Sequence, residues 1–454
     1  MALRDILHNL PEVRPPIEKR VSFNVKLKWT LIILISFFVL ANIPLYGLAG
    51  SSLSRFEYLA ILLGTSFGSI ISLGIGPIVM SSIILQLLIG AQILNIDVKT
   101  EEGKRYYSAL QKMLAFAFVV FVAMVYVLMK GLQAKPGLEG LVIFQLCLGG
   151  FLIIFMDEVV QKWGFGSGVS LFIAAGIGWR LFARLFQFIG PQGGFAPSGE
   201  VLSLISSLII GNTTGVALAL FTILVTAALF LVIVWAQSLK VEVPLSFDRI
   251  KGYAVRWPLP FFYTGVIPVI FVSALSANLH LFASLVENWL GHPTFLGGFS
   301  NGVPVSGLSF WIYPTPILQT IITGSFRPVF LLQAIGNILF YVLFSVLFAV
   351  FWMNTSGQDA SSQAKSIMSF GLRIPGFRKD ERVLEAILKR YIKPLTIMGG
   401  AAIGLLASLA NLLGALVGGT AILLAVMILY QFYQNIAQQH ALDMNPALKK
   451  FFVS

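Results

Sequence analysis

The chain has 454 residues, 57% hydrophobic and only 11% charged, with a mean hydropathy of +0.87. Soluble globular chains carry about 25% charged residues, so this much apolar surface must face lipid. The apolar runs are continuous and about 20 residues long, the length of a spanning helix, and lack the apolar–polar alternation of a membrane barrel. The net charge is +12, from 31 Lys and Arg against 19 Asp and Glu; such an excess marks cytoplasmic loops or serves a polyanionic partner. The single cysteine, Cys147, permits no intrachain disulfide.

In chain order, residues 1–28 are polar, contain Pro11, Pro15 and Pro16, and lack the apolar centre of a cleavable signal peptide. Ten spans are then expected near 29–48, 68–94, 108–130, 140–157, 166–187, 216–238, 259–281, 328–352, 394–413 and 415–437. With a cytoplasmic N-terminus, only Arg55, Lys130, Lys135, Arg180, Arg184 and Arg327 of the 31 basic residues fall outside. The positive-inside rule therefore places both termini in the cytoplasm. Five spans precede the long outer segment 190–215 and five follow it, which suggests two inverted halves. The expected organisation is a cytoplasmic segment 1–28, an N-terminal half 29–200, a C-terminal half 201–437 and a cytoplasmic tail 438–454.

Two regions depart from simple spans. Residues 53–94 are apolar for too long for one crossing and too short for two, and Gly64, Gly68, Gly74, Gly76 and Pro77 interrupt them. They read either as a short re-entrant helix at 53–65 followed by a span, or as one kinked, tilted helix. A re-entrant segment survives at membrane depth only inside protein or beside water. The inner loops 239–258 and 353–393 are long and basic. Val241, Val243, Leu245 and Phe247 alternate ahead of a turn near Lys251–Gly252, which predicts a hairpin. Val383, Leu384, Ile387 and Leu388 have helical spacing. Together these loops predict a structured platform standing off the membrane.

The chemistry of most enzyme classes is missing from the sequence. There is no phosphate-cradling loop, and His8, His280, His292 and His440 lie far apart without metal-ligand spacing. Gly164, Gly166 and Gly168 follow a helix rather than a strand and read as a tight loop. No cofactor, metal or catalytic residue is assigned. The middles of the expected spans contain no Asp, Glu, Lys or Arg, whereas ion-coupled transporters place ionisable groups there. The alternative functions are a secondary transporter of a neutral or hydrophobic small molecule, for which ten spans and a broken helix also suffice, and an intramembrane enzyme, for which no constellation is present.

Four segments carry a resemblance. Leu73-Gly-Ile-Gly-Pro-Ile-Val79 with Ile83-Ile-Leu-Gln-Leu87, Asp157 to Gly168, Gly265-Val-Ile-Pro-Val-Ile270, and Asn411 to Thr420 fall in the order of the second, fourth-to-fifth, seventh and tenth spans of SecY-type translocon subunits. The match runs from Lys26 to the C-terminus and resembles archaeal or eukaryotic members more than bacterial ones. The resemblance implies an all-α clamshell of ten transmembrane helices in two inverted five-helix halves around an hourglass pore, not an enzyme. Such a protein passes unfolded secretory polypeptides across the cell membrane and releases transmembrane segments sideways into lipid.

It further implies a pore ring of Ile75, Val79, Val169, Ile173, Ile267 and Leu416, in which the i, i+4 pairs 75/79 and 169/173 each share a helix face. A plug over 53–65 would include Leu53, Phe56, Glu57, Leu59, Ile61, Leu62 and Thr65. Asn278 matches a polar residue of the lateral gate, where Ser81 and Ser82 could face it, although the third span between Phe116 and Tyr126 lacks the polar residue common at that gate. Arg249, Lys251, Arg256, Arg373, Arg378 and Lys379 match ribosome-docking loops. The implied partners are a SecE-type small subunit, a small beta subunit, the ribosome and signal-recognition pathway, a polypeptide bearing a signal sequence, and membrane lipid.

Overall fold

The computed structural model describes residues 11–17, 21–51, 65–91, 93–94, 96, 100–188, 199–247, 254–300, 302–369, 372–373 and 381–444. Among these, nine helices are long and apolar enough to cross a membrane. They are α1 (Phe23–Ala41), α3 (Glu101–Leu128), α4 (Glu139–Trp163), α5 (Gly168–Phe186), α7 (Thr213–Ser238), α8 (Ile267–Leu290), α11 (Val329–Thr355), α13 (Glu381–Leu412) and α14 (Gly419–Met444). The tenth membrane helix, α2 (Gly76–Gly90), is shorter. The span expected at 29–48 begins six residues earlier and ends at Ala41, where the Asn42 amide caps the helix by donating to the Phe38 carbonyl at 2.8 Å. The span expected at 68–94 is helical only from Gly76; residues 67–75 form a string of turns held by hydroxyls such as Ser72, which bonds the Ser69 carbonyl at 2.5 Å.

The two halves begin their second helices alike. Pro77 and Pro268 occupy the first turns of α2 and α8, where a missing N–H costs nothing. Three residues before each proline stands a glycine with positive φ, Gly74 at 55° and Gly265 at 65°, a backbone that side chains disfavour. A repeated break at corresponding places in the two halves points to a site between them. There α2 of the first half packs against α8 and α11 of the second, and α5 packs against α14.

One end of the bundle, the loop face, carries the platform. Strands β3 (Lys240–Phe247) and β4 (Ala254–Pro260) form the expected hairpin in antiparallel register, Val243 opposite Trp257, and β7 (Leu372–Arg373) joins as a third strand. The sheet and α12 (Ala360–Ser369) pack against the start of α13 over a second core of Val243, Leu259, Ile367, Leu384 and Leu388. The helix predicted from Val383 and Leu388 does not stop before the ninth span. It runs unbroken for 32 residues through Pro394, so platform and membrane helix are one rod.

On the loop face, residues 11–14 are tied to α3 and α4. Lys112 bridges the Pro11 carbonyl and Glu158, the Val13 N–H donates to Glu158, and Lys162 pairs with Glu12 and Glu158. The opposite face holds two small strand pairs, β1 (Leu48–Ser51) with β2 (Leu132–Ala134) and β5 (Gly298–Ser300) with β6 (Val303–Ser306). It also holds the short helices α9 (Gly307–Ile312) and α10 (Ile317–Ile322). The segment 190–215, read from sequence only as a long connection, contains α6 (Glu200–Ile210), which packs on α7 as a helical hairpin closed by Gly211.

Candidate functional site

Between the halves lies a cavity of about 310 Å³, built from the loop-face ends of α2, α3, α4, α11 and α14 and the first turns of α5 and α8. Its lining divides by chemistry. Ile78, Val79, Val169, Ile267, Ile270 and Phe271 are apolar, while Ser82, Gln86, Gln111, Gln161, Gln431 and Asn435 are neutral and polar.

Ile75, Val79, Ile173 and Leu416 are buried in one central apolar cluster, and Val169 and Ile267, partly buried, pack against it. Val79, Val169 and Ile267 line the cavity. Ile75 and Ile173 lie one turn further from the loop face on the α2 and α5 sides and are 0% exposed. Leu416 is buried in the turn between α13 and α14. Its N–H donates to the Thr226 hydroxyl at 3.1 Å; Thr226 sits midway along α7, which ties Leu416 to the middle of that helix. Thr226 was not singled out from sequence, since threonines in an apolar helix commonly bond back to their own turn, as Thr222 and Thr226 do here.

Ile270 was also missed. It lines the cavity and is 5% exposed. Two residues after Pro268, it corresponds to Val79, two residues after Pro77. Setting the two Gly-x-x-Pro turns side by side would have found it.

The fourth-to-fifth junction works through Asp157. This buried carboxylate accepts from the Val169 N–H at 3.0 Å and from Gln161 at 2.8 Å. A carboxylate at a helix start satisfies free N–H groups and complements the helix dipole, so α4 fixes the first turn of α5 and with it Val169. A β-carbon on Gly168 would stand 2.6 Å from the Asp157 backbone, so the junction admits only glycine without movement. Asn411 plays the same part at α14: its amide bonds both the hydroxyl and the N–H of Thr420.

The residues expected at a gate bond within helices rather than to one another. Asn278 donates to the Ala274 carbonyl at 2.8 Å, and Ser81 and Ser82 both donate to the Ile78 carbonyl. No hydrogen bond joins Asn278 to either serine among the described residues. Ser82 instead accepts from Gln111 of α3 at 2.6 Å. The seam is closed: a β-carbon on Gly90 would stand 2.6 Å from the Phe351 ring of α11. Phe271 of α8 packs edge-on against Phe348 and Trp352 of α11.

Of the expected plug, Leu53, Phe56, Glu57, Leu59, Ile61 and Leu62 lie outside the described residues. Thr65 is buried, its hydroxyl on the Ile71 carbonyl at 2.7 Å. Of the docking residues, Arg249, Lys251, Arg378 and Lys379 also lie outside. Arg256 is exposed on β4 and pairs with Glu242 at 2.8 Å, and Arg373 lies on β7 opposite Ser246.

The sequence model of the SecY family matches residues 69–433. A protein translocase subunit SecY from Methanothermobacter thermautotrophicus is 42% identical over 448 residues, covering 97% of this chain and 96% of the relative. The chain belongs to the SecY family. The SecY subunit of Pyrococcus furiosus is 38% identical over the full length of both chains. Among solved structures, a protein-conducting channel superposes with a TM-score of 0.85 at 36% identity, covering 98% of this chain and 99% of that one. Sec61 from a canine ribosome–channel complex gives 0.82 at 35% identity, covering 98% and 99%. The fold is the ten-helix SecY clamshell, and the chain is a multi-pass membrane protein.

Proposed function

We propose that the chain is the channel-forming subunit of a protein translocase, in which an unfolded polypeptide enters the loop-face cavity and passes between the aliphatic side chains of both halves. The observation that carries this reading is the pairing of a neutral polar vestibule with an apolar seal contributed by α2, α5, α8 and the α13–α14 turn. Ile75, Val79, Val169, Ile173, Ile267 and Leu416 form the seal, joined by Ile270. Aliphatic groups offer a passing chain no hydrogen bonds to stick to, and a narrow apolar passage dewets and resists ions. Membrane-bound segments leave sideways where α2 meets α8 and α11, and residues 53–65 plug the opposite side. A small-molecule transporter would have no use for the rigid basic platform.

The loop face is cytoplasmic, both termini lie there, and the membrane is the cell membrane. Arg249, Lys251, Arg256, Arg373, Arg378 and Lys379 dock the ribosome, whose RNA is a phosphate polyanion. The exposed apolar sides of the bundle accept a SecE-type subunit, a small beta subunit and lipid, and substrates arrive by the signal-recognition pathway. The deciding experiment is single-channel recording on the reconstituted complex. Replacing Ile75 and Val79 together by serine should hydrate the seal and raise resting ion conductance by about an order of magnitude. Unchanged resting conductance would show that these residues do not form the seal.

A further inference from the structure

The apolar seal explains the floor of the cavity but not its wall. Gln86 is 0% exposed and lines the cavity, and its amide makes no well-formed hydrogen bond, the Tyr107 hydroxyl standing close enough only for a weak one. A buried polar group without a partner is expensive, and folded proteins keep few. Four more amides enter the same space: Gln111 and Gln161 from the N-terminal half, and Gln431 and Asn435 from the C-terminal half. Gln111 and Gln161 each commit an amide N–H to the protein, on Ser82 and Asp157. The one carboxylate in the lining, Asp157, has an N–H on each oxygen, and no Lys or Arg lines the cavity.

We propose that Gln86, Gln111, Gln161, Gln431 and Asn435 form a binding site for the main chain of an extended polypeptide. An amide side chain donates and accepts, so it pairs with a peptide group presented in either direction. In an extended chain, successive N–H and C=O groups point alternately to the two sides of the strand, while side chains stand off its faces. Amides from the two halves would pair with the two edges of one strand. A neutral wall is indifferent to the charge of the passenger, and binding the main chain makes it indifferent to sequence. Gln86 pays a standing desolvation cost in the empty channel that a threaded chain relieves.

This inference rests on the reading of the protein as a polypeptide channel, and the test separates the two. In the reconstituted full-length complex, a photoreactive benzoylphenylalanine at Phe432 reports capture of a synthetic neutral Ser/Val peptide. The same peptide with N-methylated peptide bonds lacks backbone donors. The unmodified peptide should be captured at least about fivefold better, the weight of a single net hydrogen bond. Gln86→Leu should reduce that preference while leaving the melting temperature of the empty channel unchanged or raised, since it removes a poorly paired buried amide. Equal capture of the two peptides, a preference unchanged by Gln86→Leu, or a lowered melting temperature would overturn the site. A second photoreactive position at Ile75, probed with a precursor jammed by a folded C-terminal domain, tests the passage itself. Capture there without any backbone dependence at the vestibule sinks this proposal alone, and no capture there sinks the channel reading.

Discussion

At the scale of single residues, two of the proposed seal residues are held by polar contacts from other helices. Leu416 depends on the Thr226 hydroxyl 190 positions earlier in the chain, and Val169 depends on Asp157. Thr226→Val keeps shape and removes the acceptor, leaving the Leu416 N–H unpaired in an apolar setting. The loss should be about 1–3 kcal/mol, read as a lower melting temperature of the purified complex, with a rise in resting conductance as Leu416 is released. A variant that is destabilised yet stays ion-tight would show that the bond holds the fold without placing the seal. The Asp157 contact was legible as a motif but not as a mechanism. Only the packing of α4 against α5 shows that the carboxylate of one helix caps the other.

At the scale of elements, the proposed gate depends on how closely α2 approaches α11. Gly90 has no side chain where Phe351 fills the space. Gly90→Leu should push the two helices apart and favour the open gate, detectable as export of precursors with weakened signal sequences. Adding Phe351→Ala makes room for the leucine and should restore stringency. If the double variant is as permissive as the single one, the contact is not the latch. The stretch ahead of α2 is the other element open to test. Deleting 54–64 should leave an inserted, folded channel that leaks small solutes from liposomes, because α2 begins only at Gly76 and Thr65 is anchored independently on Ile71. Failure to insert would mean that the segment belongs to a span and not to a plug.

At the scale of the whole molecule, α13 joins the two structural layers. The platform core and the membrane core share this one 32-residue helix, so a load on the platform acts directly on the bundle. Arg249 lies between β3 and β4 and Arg378 between β7 and α13. Reversing both charges should weaken ribosome binding at moderate salt and flatten its salt dependence, with the melting temperature of the complex as the control for folding. Binding that is indifferent to the double reversal at moderate salt would remove these residues from the docking surface.

The membrane class and the helical crossings were legible in the sequence as a local property, hydropathy over about 20 residues. The expected ring positions came instead from the resemblance of four motifs to SecY-type subunits, since an i, i+4 aliphatic pair lies on almost any face of a membrane helix. The β3–β4 hairpin was legible locally, through its period of two. Where the spans end was decided by tertiary structure. α2 starts at Gly76 because hydroxyl-bonded turns replace helix before it, and α13 continues through the platform because a second core covers its polar-looking start. The pairing of the gate was decided there too. Ser82 meets Gln111 and Asn278 turns back on its own helix, since which polar group meets which depends on helix rotation and not on composition. The vestibule is the clearest case: its amides lie on α2, α3, α4 and α14, scattered over some 350 positions of the chain, and become one surface only when the two halves close around them.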